Sequence, residues 1–194
     1  YTSSGSGATT KVFTYTIQAG DNDTDGIRIG ENALAFNSGT IRDAAGNYAT
    51  NLDHIAVSDN ENYMVDTTPP TVSSVAITSA EGIQNSFVNA GDNVLVTVTF
   101  SENSTVTGTP QLTLAVGEDN HTADYTSSGS GATTKVFTYT IQDGDNDTDG
   151  ISIRADALAL DNGTIRDLAE NNAILTHSVV DNNSSYKVDT TAPS

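Results

Sequence analysis

The chain has 194 residues, enough for one large domain or two small ones, and carries 7 basic and 25 acidic side chains for a net charge of −18. That charge excludes nucleic acid and anionic membrane as natural partners, because both would repel it. Cysteine is absent, which excludes disulfides, thiolate catalysis, zinc ribbons and iron–sulfur clusters, and no apolar run exceeds four residues, against the roughly 20 that span a bilayer.

Of the acids 19 are Asp and only 6 are Glu, and Thr occurs 29 times, so the chain favours turns and pleated strands over helices. Taken in order, residues 1–66 open with alternation that sets Phe13, Tyr15 and Ile17 on one face. An acidic loop, GDNDTDG at 20–26, follows, then the turn IRDAAGN at 41–47 and the extended segment VDTTPP at 65–70. Beyond it, strands are expected at 71–78, 93–100, 112–116, 121–126, 137–141, 150–153, 157–160, 174–180 and 184–188. In 93–100 the residues Val94, Val96, Val98 and Phe100 share a face; Leu112, Leu114 and Val116, and then Phe137, Tyr139 and Ile141, do the same. No segment offers twelve residues of helical periodicity. Many short strands in about 120 residues, separated by Gly/Asn/Asp turns, predict an all-β fold, an immunoglobulin-like β-sandwich.

The chain repeats itself. Residues 1–29 recur at 125–153 with two changes, Ala19 to Asp143 and Arg28 to Ser152. GTIRDAAGN at 39–47 answers GTIRDLAEN at 163–171, and YMVDTTPP at 63–70 answers YKVDTTAP at 186–193. The offset is 124 at Tyr1/Tyr125 and 123 at Val65/Val188, so each repeat is a whole domain of about 123 residues. The division expected is 1–66 as the second half of a repeat, 67–190 as a complete repeat and 191–194 as the start of the next linker. Residues 1–66 need a cover for their apolar face, from an upstream stretch like 67–124 or from another chain in a fibre.

Two groups of residues carry chemistry. In GDNDTDG, Asp21, Asp23 and Asp25 (and Asp145, Asp147 and Asp149 in the second copy) alternate and close on a glycine. Three carboxylates in five residues repel one another unless a cation sits among them, which suits Ca²⁺ better than Mg²⁺. The twelfth position is Asn32 or Asp156 instead of Glu, so a helix–loop–helix calcium site is excluded, and a solvated acidic turn is the competing reading. The second group is dispersed: Glu102 in TFSEN, Asp43 and Asp167 in the RDxxxN turns, and Asp66 and Asp189 beside the linker prolines. Turn capping by Asp is the plain alternative for each of them. His54, His121 and His177 lack a nucleophile motif or a metal-spaced partner, and no acid is singled out by an apolar pocket, so no enzyme is expected.

TFSEN, GDNDTDG, IRDxAxN and VDTTxP, in this order and spacing, resemble the immunoglobulin-like or cadherin-like tandem repeats of large bacterial surface adhesins. The resemblance implies an extracellular, cell-surface array stiffened by calcium near the domain junctions, with Glu102, Asp66 and Asp189 as junction ligands. Its partners would be neighbouring repeats and other copies in a filament. Glu170 departs from it, standing where the first copy has Gly46. The alternative function is a binding or self-associating module for sugar, protein or fibre. With no Trp and only 12 Tyr plus Phe, stacking surfaces for sugar are scarce.

Overall fold

The structure, a computed structural model, describes residues 9–127 and 133–193; residues 1–8 of the expected half-repeat lie outside the described residues. The described chain is all-β, its one helical element a 3₁₀ turn at Glu61–Tyr63. It divides into two compact units, Tyr1–Thr68 and Pro69–Ser194.

All the strands of more than one residue lie in the second unit: β1 (Val72–Ala80), β2 (Phe87–Val88), β3 (Asn93–Phe100), β4 (Thr105–Thr107), β5 (Gln111–Val116), β6 (Asp119–Ser127), β7 (Thr134–Thr140), β8 (Asn146–Asp147), β9 (Leu158–Ala159), β10 (Thr164–Arg166) and β11 (Lys187–Asp189). An antiparallel sheet runs β1-β3-β7-β6-β5-β9; β10 pairs with β4, and β11 lies between β2 and β8. Strict alternation makes the large sheet one-sided. Val94, Val96 and Val98 are wholly buried and Phe100 nearly so, while Leu95, Thr97 and Thr99 are half-buried. Leu112, Leu114, Phe137 and Tyr139 bring the inner faces of β5 and β7 to the same core. The small sheets close it with Ile165 from β10 and Val88 and Val188 from β2 and β11. Each such side chain contributes roughly 1.5–3 kcal/mol on burial.

The β5–β6 hairpin turns on Gly117, whose φ of +59° suits the first central position of a type II′ turn. A side chain there would also run into the Asn146 carbonyl oxygen. Strands expected at 150–153 and 174–180 are reduced to isolated bridges, Ala115↔Ser152, Ile153↔Val180 and Thr71↔Ile174. Side chains replace the ladder there: Asp156 Oδ1 accepts from the His177 amide, and the His177 ring accepts from the Ala157 amide.

The first unit is held by the bridges Asp23↔Val65, Ile29↔Val57 and Arg42↔Tyr48, with the Arg42 guanidinium 4.0 Å above the Tyr48 ring centre. Its turns match those of the second unit: Gly26 and Gly150 have φ of +103° and +108°, and Asn32 and Asp156 have +55° and +56°. Glu170 keeps the left-handed conformation of Gly46, at +71° against +90°.

Candidate metal centre

The acidic loops turn their carboxylates to separate partners. Asp145 Oδ2 accepts from the Gln142 amide and from the Tyr139 hydroxyl, at 2.8 and 2.7 Å. Asp147 is buried; its Oδ1 accepts from the Asp149 and Gly150 amides and its Oδ2 from the Gly117 amide. Asp149 Oδ2 accepts from the Asn182 side-chain amide. In the first unit Asp21 Oδ2 binds the Gln18 amide and Tyr15 hydroxyl, and Asp23 Oδ1 binds the Gly26 amide. These bonds hold the Asp21 carboxyl below its usual pKa, the Gln18 amide acting most strongly. Asp25 takes the position of Asp149. In the second copy the acids thus tie the loop to β7, to the β5–β6 turn and to Asn182.

The loops also grip the VDTT segments. Gly20 N–H donates to Thr67 Oγ1, which donates on to the Asp21 carbonyl, at 2.9 and 3.1 Å. Gly144, Thr190 and Asp145 repeat this at 3.0 and 3.0 Å. Asn22 Oδ1 receives the Thr67 amide, as Asn146 Oδ1 receives that of Thr190. Asp66 and Asp189 each accept from the amide two residues on, Thr68 or Thr191. The threonines were invisible as functional residues in the sequence; their recurrence after each Asp was the available signal.

The RDxxxN turns follow one plan. Asp167 is buried, its Oδ1 receiving the Asn171 amide and its Oδ2 the Asn171 side chain, at 2.9 and 2.8 Å. Asp43 makes the same bonds to Asn47, and they lower its pKa, the side-chain bond foremost. Asp43 Oδ1 accepts from the Ala45 amide as well, at 2.9 Å.

Glu102 and Asp167 are brought together by the β4–β10 ladder. Thr105 pairs with Arg166, placing Asp167 beside the segment that starts at Glu102, and a carboxylate oxygen of each lies within 4.8 Å of the other. Two oxygens bound to one calcium at about 2.3–2.6 Å sit up to roughly 5 Å apart, so this spacing fits a shared ion. The donor set is hard oxygen alone, as calcium prefers. Thr71 fixes the incoming chain at the same place: its N–H donates to Ser101 Oγ and its carbonyl accepts from the Ser101 amide.

The histidines serve the fold. His54 and His177 each accept a backbone N–H at Nε2, from Leu34 and Ala157, and contact the following residue's carbonyl through Nδ1. His121 Nδ1 lies 2.8 Å from the Tyr139 hydroxyl, and its Nε2 is 3.4 Å from Asp145 Oδ1. Burial, then the Asp145 contact, raises the Tyr139 phenol well above its usual pKa.

A groove of about 520 Å³ runs between Val72–Val75 of β1 and residues 176–180, lined by Ser73, Ser74, Thr176 and His177 among others, with no Tyr or Phe. Among the described residues, no helix is long and apolar enough to cross a membrane. No family model, curated protein or solved structure matches the chain.

Proposed function

We propose that this chain is a calcium-stiffened spacer, built of tandem immunoglobulin-like sandwiches, from the stalk of a bacterial cell-surface adhesin or extracellular filament. The observation that carries this reading is the Glu102–Asp167 pair, two carboxylates within 4.8 Å in a chain of net charge −18. Like charges so placed favour a shared cation. A cation shared by Glu102 and Asp167 ties the segment before β4 to the end of β10 and so stiffens the repeat, as a stalk requires. Each VDTT segment is braced by its own acidic loop.

Asp189 stands in the second copy where Asp66 stands in the first. The near-identity of the copies supports extension over recognition, since a spacer needs no distinctive pocket. The groove beside β1 has no Tyr or Phe in its lining, which favours the spacer over a sugar-binding module.

The test is metal content and thermal unfolding with and without chelator. Binding at 100 to 1,000 times the dissociation constant adds about 3–4 kcal/mol, so chelation should lower Tm by about 10 °C or more. The double change Glu102→Gln, Asp167→Asn should abolish that dependence and remove bound calcium. Unfolding that is indifferent to chelator would sink the proposal.

A further inference from the structure

Two buried side-chain atoms among the described residues make no hydrogen bond, His121 Nε2 and Ser104 Oγ. The histidine nitrogen has an acid before it, Asp145 Oδ1 at 3.4 Å. Ser104 needs another explanation, since a hydroxyl stripped of water and given no partner is destabilising. The β4–β10 ladder shows what it faces. Its pairs are Thr107↔Thr164, Val106↔Ile165 and Thr105↔Arg166, so one further step in the same register sets Ser104 opposite Asp167. Facing alternates along each strand. Thr107 and Thr164 join hydroxyls on the outer side, while Val106 and Ile165 turn to the core. Ser104 and Asp167 continue the inner side and are 1% and 5% exposed. Side chains opposed in this way have Cβ atoms about 4.5–5.5 Å apart. Glu102, two residues before Ser104, brings its carboxylate within 4.8 Å of that of Asp167.

We infer that Ser104 is a further ligand of the cation shared by Glu102 and Asp167, binding through the lone pairs of its Oγ. This deepens the calcium reading above and rests on it. Calcium takes about six to eight oxygens, so two carboxylates leave places that neutral oxygens must fill. A serine hydroxyl can do so. It carries two lone pairs, and serine and threonine hydroxyls hold divalent cations in phosphate-binding loops. It also adds an oxygen without adding charge beside two carboxylates. Alanine would fill the same space with no orphaned hydroxyl, so packing alone gives no reason for serine here. Arg166, which precedes Asp167, gives its guanidinium to Asn172 and Glu170 instead.

The experiment titrates calcium into the 194-residue chain and its Ser104→Ala variant, following the site that the double change Glu102→Gln, Asp167→Asn removes. Ser104→Ala should weaken that binding by about tenfold or more, as loss of a partner at a metal site does. In excess chelator the same variant should melt about 2–4 °C higher, because the orphaned hydroxyl is gone. A merely structural serine would not move the two readings in opposite directions. Ser104→Cys supplies a direct probe, as the chain has no cysteine of its own. Its thiolate should bind Cd²⁺ at least about tenfold more tightly than the wild type does, with a sulfur-to-cadmium charge-transfer band. Equal calcium affinity in wild type and Ser104→Ala would overturn the inference and leave the Glu102–Asp167 reading standing. So would a Ser104→Cys chain that shows no such band with Cd²⁺. A wild type that binds no calcium at the pair would overturn both.

Discussion

Residues 9–29 and 133–153 differ at two positions, yet one stretch contributes a ladder strand to a buried core and the other leaves its apolar row in water. What survives in both is local. The Gly20/Gly144 and Gly26/Gly150 turns, the Tyr–Asp hydrogen bond and the clasp on the VDTT threonine recur with nearly the same dihedrals and distances. Ladder pairing does not survive. Turns are specified by residues within a few positions of one another, whereas a strand is completed by a partner far off in sequence.

The sharpest way to break this comparison is to remove the same methylenes from both copies. Ile151→Ala opens a cavity in a closed core and should cost about 2–5 kcal/mol in the unfolding of the second unit. Ile27→Ala, at its exposed twin, should change stability by no more than about 0.5 kcal/mol. Denaturant titration of the two variants measures both. Comparable losses would show that the first unit buries its isoleucine in solution.

The same distinction governs what was legible in the sequence. Long alternating runs were read correctly in position and facing: Val94, Val96, Val98 and Phe100 are all buried. The two- and three-residue strands β2, β4, β8 and β10 escaped notice because so short a run has no period to detect. Residues 174–180 misled for the opposite reason: they alternate, but His177 and Asp156 take the backbone groups a ladder would use. Among the acids, spacing announced the alternating Asp of each loop, but not the partners that the second copy gives them: Tyr139, the backbone of 117 and 149–150, and Asn182. The nearness of Glu102 and Asp167, 65 positions apart, comes from the β4–β10 pairing, which no local pattern announces.

Alkaline pH sharpens the comparison further. Tyr139 and Tyr15 both donate to an aspartate, and both phenols are raised, but burial is the foremost cause at Tyr139 and the Asp21 bond at Tyr15. A raised folded pKa means that the neutral phenol is favoured by folding. The stabilisation is whole below the ordinary phenol value of about 10 and is lost as pH climbs from there through the folded value. The second unit should therefore melt at falling temperature above about pH 10. Tyr139→Phe should flatten that decline, and Tyr15→Phe should leave it unchanged. An identical alkaline slope in wild type and Tyr139→Phe would remove the phenol from the account.

The smallest expected effect is also the cleanest exchange between the copies. Glu170 holds a φ of +71° where its twin Gly46 holds +90°, and a left-handed conformation costs a side-chain-bearing residue roughly 1–2 kcal/mol. Its compensation is an ion pair, Arg166 Nη1 to Glu170 Oε2 at 3.0 Å, between side chains 39% and 80% exposed, where such pairs are worth about 0–1 kcal/mol. Glycine would relieve the strain but free the unfolded chain by about 0.5–1 kcal/mol. Glu170→Gly should therefore stabilise the second unit only slightly, by about 0.5 kcal/mol. The reciprocal Gly46→Ala should destabilise the first by about 1 kcal/mol, and dihedral strain is its whole cause because no atom lies within 4 Å of the added Cβ. Paired melting curves decide it. A marked loss in Glu170→Gly would mean that the Arg166 pair outweighs the strain and that the turn is held by charge.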